Sequence, residues 1–432
     1  MMEQYQVKAA KGLQGVIDVP GDKSISHRAI MLSCLANEPV VIKNFLFSKN
    51  CLSTIECFRK LGIVISYSKD SGTVWVAGNG LNGLQEPDDI LEAGNSGTTI
   101  KLMTGILACQ DFFSVITGAN DIRQQPVPQI IDPLTKMGAK LYCRAKNRKI
   151  PIAVLPVSQL RGADFITDVD SAQVKSTILL AGLYALGPTR VTELHRSRDH
   201  TERMLESFGV DIAVNGLTVT LYPPEKLIAP AEIFVPGDIS SAAYWIVAAS
   251  IIPNSCITLT NVGINSTRTG VIDVLRQMGA RIEMKNQRFF GHEEVADITV
   301  STAPLHSVVI QKEQISQLID EIPVLVVAAL FAEGTTCIDG VYELHVKDPD
   351  RLSTVAGELT KLGAKLIVNE DSFIIEGPQQ LVYAVCDSRY DHRIAMAMAI
   401  AGLASKGTKI HEAECVQNAY PLFFNHLEKL SV

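Results

Sequence analysis

The tetrapeptide Val19-Pro20-Gly21-Asp22 returns as Val235-Pro236-Gly237-Asp238, 216 positions later, which is half of the 432-residue chain. A finer repeat runs inside each half. A helix-like stretch ending in a large apolar residue, two polar residues, a second apolar residue and glycine recurs, each time before an apolar strand-like run. It reads Phe58-Arg59-Lys60-Leu61-Gly62, Leu134-Thr135-Lys136-Met137-Gly138, Leu205-Glu206-Ser207-Phe208-Gly209, Leu275-Arg276-Gln277-Met278-Gly279 and Leu359-Thr360-Lys361-Leu362-Gly363, and the chain stops at Leu427-Glu428-Lys429-Leu430. The glycines lie 76, 71, 70 and 84 residues apart. Six units of about 72 residues, three per half, account for the whole length, so the periodicity predicts an internally duplicated α/β architecture. Past the last helical turn, a left-handed residue with a Cβ costs about 1 to 2 kcal/mol and glycine almost nothing. These glycines therefore read as helix stops, not ligand contacts.

With 47% apolar and 20% charged residues, the chain can bury two ordinary cores and shows no disordered tract. A net charge of -7 argues against a nucleic-acid partner, because phosphate backbones are held by a broad basic field. Any bound anion must then be held by a local cluster of Lys and Arg. The nine cysteines are odd in number, lack a CxxC pair and sit mostly among apolar residues, as at Cys34 and Cys256. That is reduced, cytoplasmic usage. The start has no apolar signal core, and the longest apolar runs, such as Ile322 to Ala332, fall short of the roughly 20 residues a membrane helix needs. No membrane association is expected.

The two Val-Pro-Gly-Asp segments read as crossings between domains, since proline fixes φ and the following glycine permits a turn. Residues 21–236 then form one domain, and 1–20 with 237–432 the other, with the active site in the cleft between them. After the first crossing comes Lys23-Ser24-Ile25-Ser26-His27-Arg28, which reads as a serine-capped amphipathic helix start with two cations in its opening turns. Cations there oppose the helix macrodipole unless an anion arrives, so the segment reads as a phosphate or carboxylate site. Gly21-Asp22-Lys23-Ser24 is not a Walker loop, because Asp22 separates glycine from lysine and the upstream glycine is missing. Gly78-Asn79-Gly80-Leu81-Asn82-Gly83 matches a dinucleotide fingerprint, but the polar segment after it cannot be the required apolar helix. It reads as a loop.

Further polar helix starts follow. Gly94-Asn95-Ser96-Gly97-Thr98-Thr99 offers bare backbone donors to an oxyanion. Ser171-Ala172-Gln173-Val174-Lys175-Ser176 and Ser197-Arg198-Asp199-His200-Thr201-Glu202 each lead into a helix, as do Asp320-Glu321-Ile322-Pro323 and Asp391-His392-Arg393-Ile394 in the second half. Any one of these alone is a capped helix. Together they place cations before apolar helices in both halves, which suits a pair of anionic substrates.

Taken in order with Pro236-Gly237-Asp238-Ile239-Ser240-Ser241-Ala242, these strings resemble the 5-enolpyruvylshikimate-3-phosphate synthase family over essentially the whole chain. The resemblance implies the enolpyruvyl transferase fold: two inside-out α/β domains, each of three repeated β-α-β-α-β-β units. It implies transfer of the enolpyruvyl group of phosphoenolpyruvate to the 5-hydroxyl of shikimate 3-phosphate, with phosphate released, no metal and no cofactor, by a monomer in the cytoplasm. Transferred by motif, Lys23, Ser24, Arg28, Ser171, Ala172, Gln173 and Arg198 match the shikimate phosphate site. Asp320 resembles the base that takes the hydroxyl proton. Lys23, Asn95, Gly97, Gln173, Lys347, Arg351 and Arg393 match the phosphoenolpyruvate side, Lys347 and Asp320 also match the shikimate 3-phosphate side, and Lys23 joins Asp320 and Asp348 among the implied catalytic residues.

Three positions leave the family pattern. Gln125 stands where a phosphoenolpyruvate-binding arginine belongs, and such a charged contact contributes about 1.5 to 3 kcal/mol, roughly ten- to a hundredfold in affinity. Arg123, two residues earlier, would share the face of Gln125 on an extended strand and so substitute in part. Asp348 replaces the glutamate expected to shuttle protons; with Pro349 after it, Asp348 reads either as that acid or as a helix N-cap. His345 replaces an arginine and exchanges a fixed charge for one that titrates near neutrality. A divergent relative with another acceptor, or one that binds without turnover, is the alternative these changes leave open.

Overall fold

The computed structural model describes residues 3–167, 171–344 and 350–432. Its contacts form two compact units. The inserted unit is Gly21–Val235 with Phe289–Glu293, and the flanking unit is Met1–Pro20, Pro236–Arg288 and Glu294–Val432. The short Phe289–Glu293 segment joins the inserted unit through Phe290, whose ring lies 4.4 Å from that of Phe234, and Glu293, which meets His200 at 2.7 Å.

In the inserted unit three four-stranded sheets repeat one pattern. Their strand orders are Glu232–Phe234, Pro39–Lys43, Thr73–Ala77, Val64–Ser68; then Leu91–Glu92, Ser114–Thr117, Lys149–Leu155, Lys140–Cys143; then Asp164–Ile166, Thr189–Thr192, Thr218–Tyr222, Asp211–Asn215. In each, the first pair is parallel and the next two are antiparallel. The helices of five or more residues among the described ones are α1 (Lys23–Leu35), α2 (Lys49–Lys60), α3 (Gly97–Leu107), α4 (Asn120–Gln124), α5 (Pro128–Lys136), α6 (Ala172–Gly182) and α7 (His200–Ser207). Every residue of α1 from Ile25 to Leu35 is buried, and α6 is buried from Val174 to Gly182. A helix covered on all sides must lie inside, and the sheets, which alternate buried and more accessible residues as in Lys149–Leu155, lie outside it.

The flanking unit repeats the pattern. Gln14–Asp18 pairs parallel with Cys256–Gly263, which pairs antiparallel with Glu293–Ser301, beside Arg281–Phe290. Val309–Ile310, Gly334–Asp339, Ser372–Gly377 and Leu366–Val368 follow the same order of pairings. The third sheet pairs Ala384–Asp387 parallel with Thr408–His411 and closes antiparallel with Gln4–Val7. The α-helices of five or more residues among the described ones are α8 (Ile239–Ile251), α9 (Gly270–Gln277), α10 (Ile322–Phe331), α11 (Arg351–Lys361), α12 (His392–Leu403) and α13 (Phe423–Leu430), of which α8, α10 and α12 are buried nearly throughout. The architecture is two inside-out α/β domains of three units each.

The five repeat glycines have φ between +77° and +107°, the left-handed stop their spacing predicts. The repeated tetrapeptide works differently from expectation. Asp22 and Asp238 are the N-caps of α1 and α8, accepting hydrogen bonds from the N–H of Ile25 at 2.8 Å and of Ser240 at 2.9 Å. Aspartate caps α1, not serine, and α1 is buried all round, not amphipathic. Gly21 does not take a left-handed turn; a Cβ there would collide with the backbone carbonyl of Asn44. The segment Gly78–Gly83 is a loop. Cys34 is buried, but Cys256, at the start of its strand, is exposed. Among the described residues no single helix is long and apolar enough to cross a membrane.

Candidate active site

Three helix starts in the inserted unit are tied together by side chains. At the first, Lys23 and Ser24 are half-buried, with no acidic residue in the opening turn of α1. Arg28, one turn further, is 5% exposed. Its Nε donates to Thr201 Oγ1 at 2.6 Å, Nη2 to Ser176 Oγ at 2.7 Å and Nη1 to the Ser24 carbonyl at 3.0 Å. All three acceptors are neutral. Burial is the main reason that its pKa falls to about 10; the charge of Arg198 adds to this, while Glu202, Asp22 and Glu293 oppose it. A buried guanidinium without a directly bonded carboxylate among the described residues is a preformed place for an anion.

The second start is that of α3. Ser96 caps it by accepting the Thr99 N–H at 3.2 Å, Gly97 is its first residue, and Asn95 before it is exposed. A Cβ on Gly97 would sit 3.6 Å from Gln125 Oε1 and 3.8 Å from Ile122 Cδ1, ordinary contact distances. Gln125 therefore lies beside Gly97. At the third start, Ser171 caps α6 by accepting the Val174 N–H at 3.4 Å. Gln173 Nε2 donates to Thr98 Oγ1 at 3.0 Å, and its Oε1 accepts from Lys101 Nζ at 2.9 Å, which joins α6 to α3. Ser171, Ala172 and Gln173 are half-buried, as is Arg198 just before α7.

Arg123 departs from expectation. It belongs to α4, not to an extended strand, and its Nη2 donates to Asn120 Oδ1 at 2.6 Å. Strand alternation, which would have put Arg123 and Gln125 on one face, does not apply to a helix and its C-cap. The short run Asn120–Gln124 is too brief to show a helical period.

In the flanking unit, Arg393 Nη2 donates to Asp320 Oδ1 at 2.8 Å, with side-chain exposures of 21% and 18%. Arg351 Nε donates to Asp391 Oδ2 at 2.8 Å, and Asp391 Oδ1 caps α12 by accepting the Arg393 N–H at 2.8 Å. Burial alone would lower the Arg393 pKa, but Asp320 and Asp391 outweigh it and raise it. Burial alone would raise the Asp391 pKa, but Arg351, His392 and Arg393 hold it well below the usual carboxylate range. Lys347 and Asp348, with His345 and Pro349, lie outside the described residues. The N-cap of α11 is Asp350, which accepts the Ser353 N–H at 3.1 Å. That is the position the capping reading had given to Asp348.

Sequence reasoning missed the partners that orient these groups. Ser176 and Thr201 hold Arg28, and both stand inside the quoted motifs without a role assigned. Lys175, 2% exposed, is fixed between Glu193 and Glu202 at 2.7 Å each. Among the described residues no group of three His, Cys, Asp or Glu is placed to hold a metal ion.

The family model described as EPSP synthase (3-phosphoshikimate 1-carboxyvinyltransferase) matches residues 7–427. A 3-phosphoshikimate 1-carboxyvinyltransferase of Pelotomaculum thermopropionicum is 49% identical over 428 residues, covering 99% of this chain and 98% of that protein. The EPSP synthase of Acinetobacter baumannii superposes with a TM-score of 0.90 at 38% identity, over 99% of this chain and 98% of that one. The enolpyruvyl transferase NikO of Streptomyces tendae shares the fold at 18% identity, with a TM-score of 0.76 over 98% and 96% of the two chains. The sixfold sheet pattern, the clustered helix starts and these matches along nearly the full length agree: the chain belongs to the EPSP synthase family.

Proposed function

We propose that this protein transfers the enolpyruvyl group of phosphoenolpyruvate to the 5-hydroxyl of shikimate 3-phosphate and releases phosphate. The observation that carries the reading is Arg28, a buried cation whose hydrogen bonds among the described residues all go to neutral oxygens, one turn into the helix that Asp22 caps. Three of its five N–H donors are placed, which leaves two for a phosphate. Lys23, Ser24, Ser171, Ala172, Gln173 and Arg198 complete that site. Asn95, Gly97, Gln125 and Gln173, with Lys23, Arg351 and Arg393, serve phosphoenolpyruvate; Lys347 and Asp348 keep the roles the family pattern implies.

The chemistry needs an acid, a base and a phosphate clamp around one carbon. A proton adds to the methylene carbon of phosphoenolpyruvate, and the shikimate hydroxyl oxygen bonds to the neighbouring carbon as its own proton passes to a base. The tetrahedral ketal then loses a methyl proton and its phosphate, and the double bond returns. Asp320 is the base. Its Oδ1 accepts from Arg393 Nη2 at 2.8 Å, which fixes where the carboxylate stands. We place the enzyme in the cytoplasm as a monomer; nine cysteines, odd in number and without a CxxC pair, fit a reducing compartment.

Phosphate release from the purified protein with both substrates is the test. Turnover that requires both is the expected result. Tight shikimate 3-phosphate binding without phosphate release, or neither, overturns the reading.

A further inference from the structure

Four buried polar side chains in the inserted unit form a continuous chain. His27 Nδ1 lies 2.7 Å from Thr54 Oγ1, Thr54 Oγ1 lies 2.7 Å from Thr99 Oγ1, and Thr99 Oγ1 lies 2.7 Å from Ser96 Oγ. All four residues are buried, the first three at 0% exposure. Ser96 Oγ also accepts the Thr99 N–H, and His27 Nε2 is buried without a partner among the described residues.

Counting protons fixes the direction. The imidazole is neutral, because burial first, then the charges of Lys23 and Arg28, oppose a second proton more than Asp22 favours it. Suppose Ser96 donates to Thr99, Thr99 to Thr54, and Thr54 to His27 Nδ1. All three hydroxyl protons are then used, and only Nε2–H is left over. In the opposite direction the Ser96 proton and the Nε2 lone pair are both stranded. Each unmade buried hydrogen bond costs stability, so the first direction is favoured. An apolar residue at position 27 would leave one buried hydroxyl proton of the chain without an acceptor, so the imidazole does more than fill space.

The chain runs from α1, which begins at Lys23, through α2 to Ser96, the residue before Gly97. We infer that His27, Thr54, Thr99 and Ser96 are positioning residues, a one-way hydrogen-bond relay that holds the start of α3 with its Gly97 in register with the start of α1. With Gln173 linking α3 to α6, and Ser176 linking α6 to Arg28, the relay closes a ring of side-chain bonds beneath the three helix starts. The consequence for substrates rests on the proposed reaction. Shikimate 3-phosphate is held by α1 and α6, which stay joined through Arg28, whereas phosphoenolpyruvate depends on the placement of α3.

The test compares wild type with Thr54→Val, which keeps the shape and removes the hydroxyl, and Thr54→Ser, which restores it. Thr54→Val is expected to raise KM for phosphoenolpyruvate about tenfold and leave KM for shikimate 3-phosphate within about twofold, with Thr54→Ser close to wild type. Equal changes in both KM values, no change in either, or failure of Thr54→Ser to recover would overturn the inference. Nitrogen-15 NMR on the unliganded protein reads the His27 tautomer without reference to the reaction. A proton on Nε2 is expected, and one on Nδ1 overturns the relay even in an active enzyme. A wild type without turnover refutes the proposed reaction instead, and the tautomer then decides the relay alone.

Discussion

Replacing Arg28 with methionine separates the cost of a binding group from its use. The Arg28 pKa, lowered to about 10 from the usual arginine value, means the fold disfavours the charged side chain by roughly 3 kcal/mol. Its three hydrogen bonds to neutral acceptors offset part of that. When the guanidinium is removed, Ser176 Oγ and Thr201 Oγ1 still bond each other at 2.6 Å, so neither hydroxyl is stranded. Methionine follows the same path as an unbranched apolar chain. With about 0.5 to 1.5 kcal/mol charged for each of the three lost bonds, Arg28→Met should leave the unliganded protein within about 1.5 kcal/mol of wild type. Binding goes the other way. Two charge-assisted bonds to a phosphate, at about 1.5 to 3 kcal/mol each, amount to a loss of roughly a hundredfold to ten-thousandfold. Denaturant unfolding without ligand and calorimetric titration with shikimate 3-phosphate measure the two quantities. A variant several kcal/mol less stable that still binds shikimate 3-phosphate normally would refute the reasoning on both counts.

Lys175→Met should behave oppositely, losing about 3 to 5 kcal/mol of stability because Glu193 and Glu202 are left buried without their cation, as a melting curve will show. Gly97→Ala meets only ordinary contacts within the protein, so it should fold normally and raise KM for phosphoenolpyruvate at least about fivefold, the effect of roughly 1 kcal/mol of overpacking, while sparing shikimate 3-phosphate; equal loss of both ligands would contradict this. Gln125→Arg, beside Gly97, should tighten phosphoenolpyruvate about tenfold, whereas Arg123→Ala should change its affinity less than about twofold, both read from steady-state kinetics. The Asp391 carboxyl has a depressed pKa, so its stabilisation is present above the unfolded value of about 3.9 and is lost as pH falls towards the folded one. Asp391→Asn should therefore cost most near neutral pH and progressively less in acid, measured by unfolding across that range.

The repeat was legible because a left-handed helix stop leaves little choice but glycine, and Gly62, Gly138, Gly209, Gly279 and Gly363 record it at regular intervals. Lys23, Arg28 and Arg393 could be singled out because cations at helix starts are locally anomalous. The roles of Asp22 and Gly21 were not separable in one string, since the cap and the close backbone approach are visible only once Ile25 and Asn44 have positions. Contacts between distant segments left no local mark. His27 and Thr54 are 27 residues apart, and Thr54 and Thr99 are 45 apart. Arg123 was misplaced for another reason, because a five-residue helix carries too little pattern to show its period.

The pairing of Gln4–Val7 with Thr408–His411 sets a timetable for biosynthesis. The inserted unit has all of its own sheets once Glu232–Phe234 emerges from the ribosome, and it can condense while translation continues. The opening strand must wait for a partner made about 400 residues later, roughly 20 to 80 s at ordinary elongation rates. Throughout that interval the Gln4–Val7 strand is synthesised without its partner, and its open edge can pair with a nascent neighbour instead.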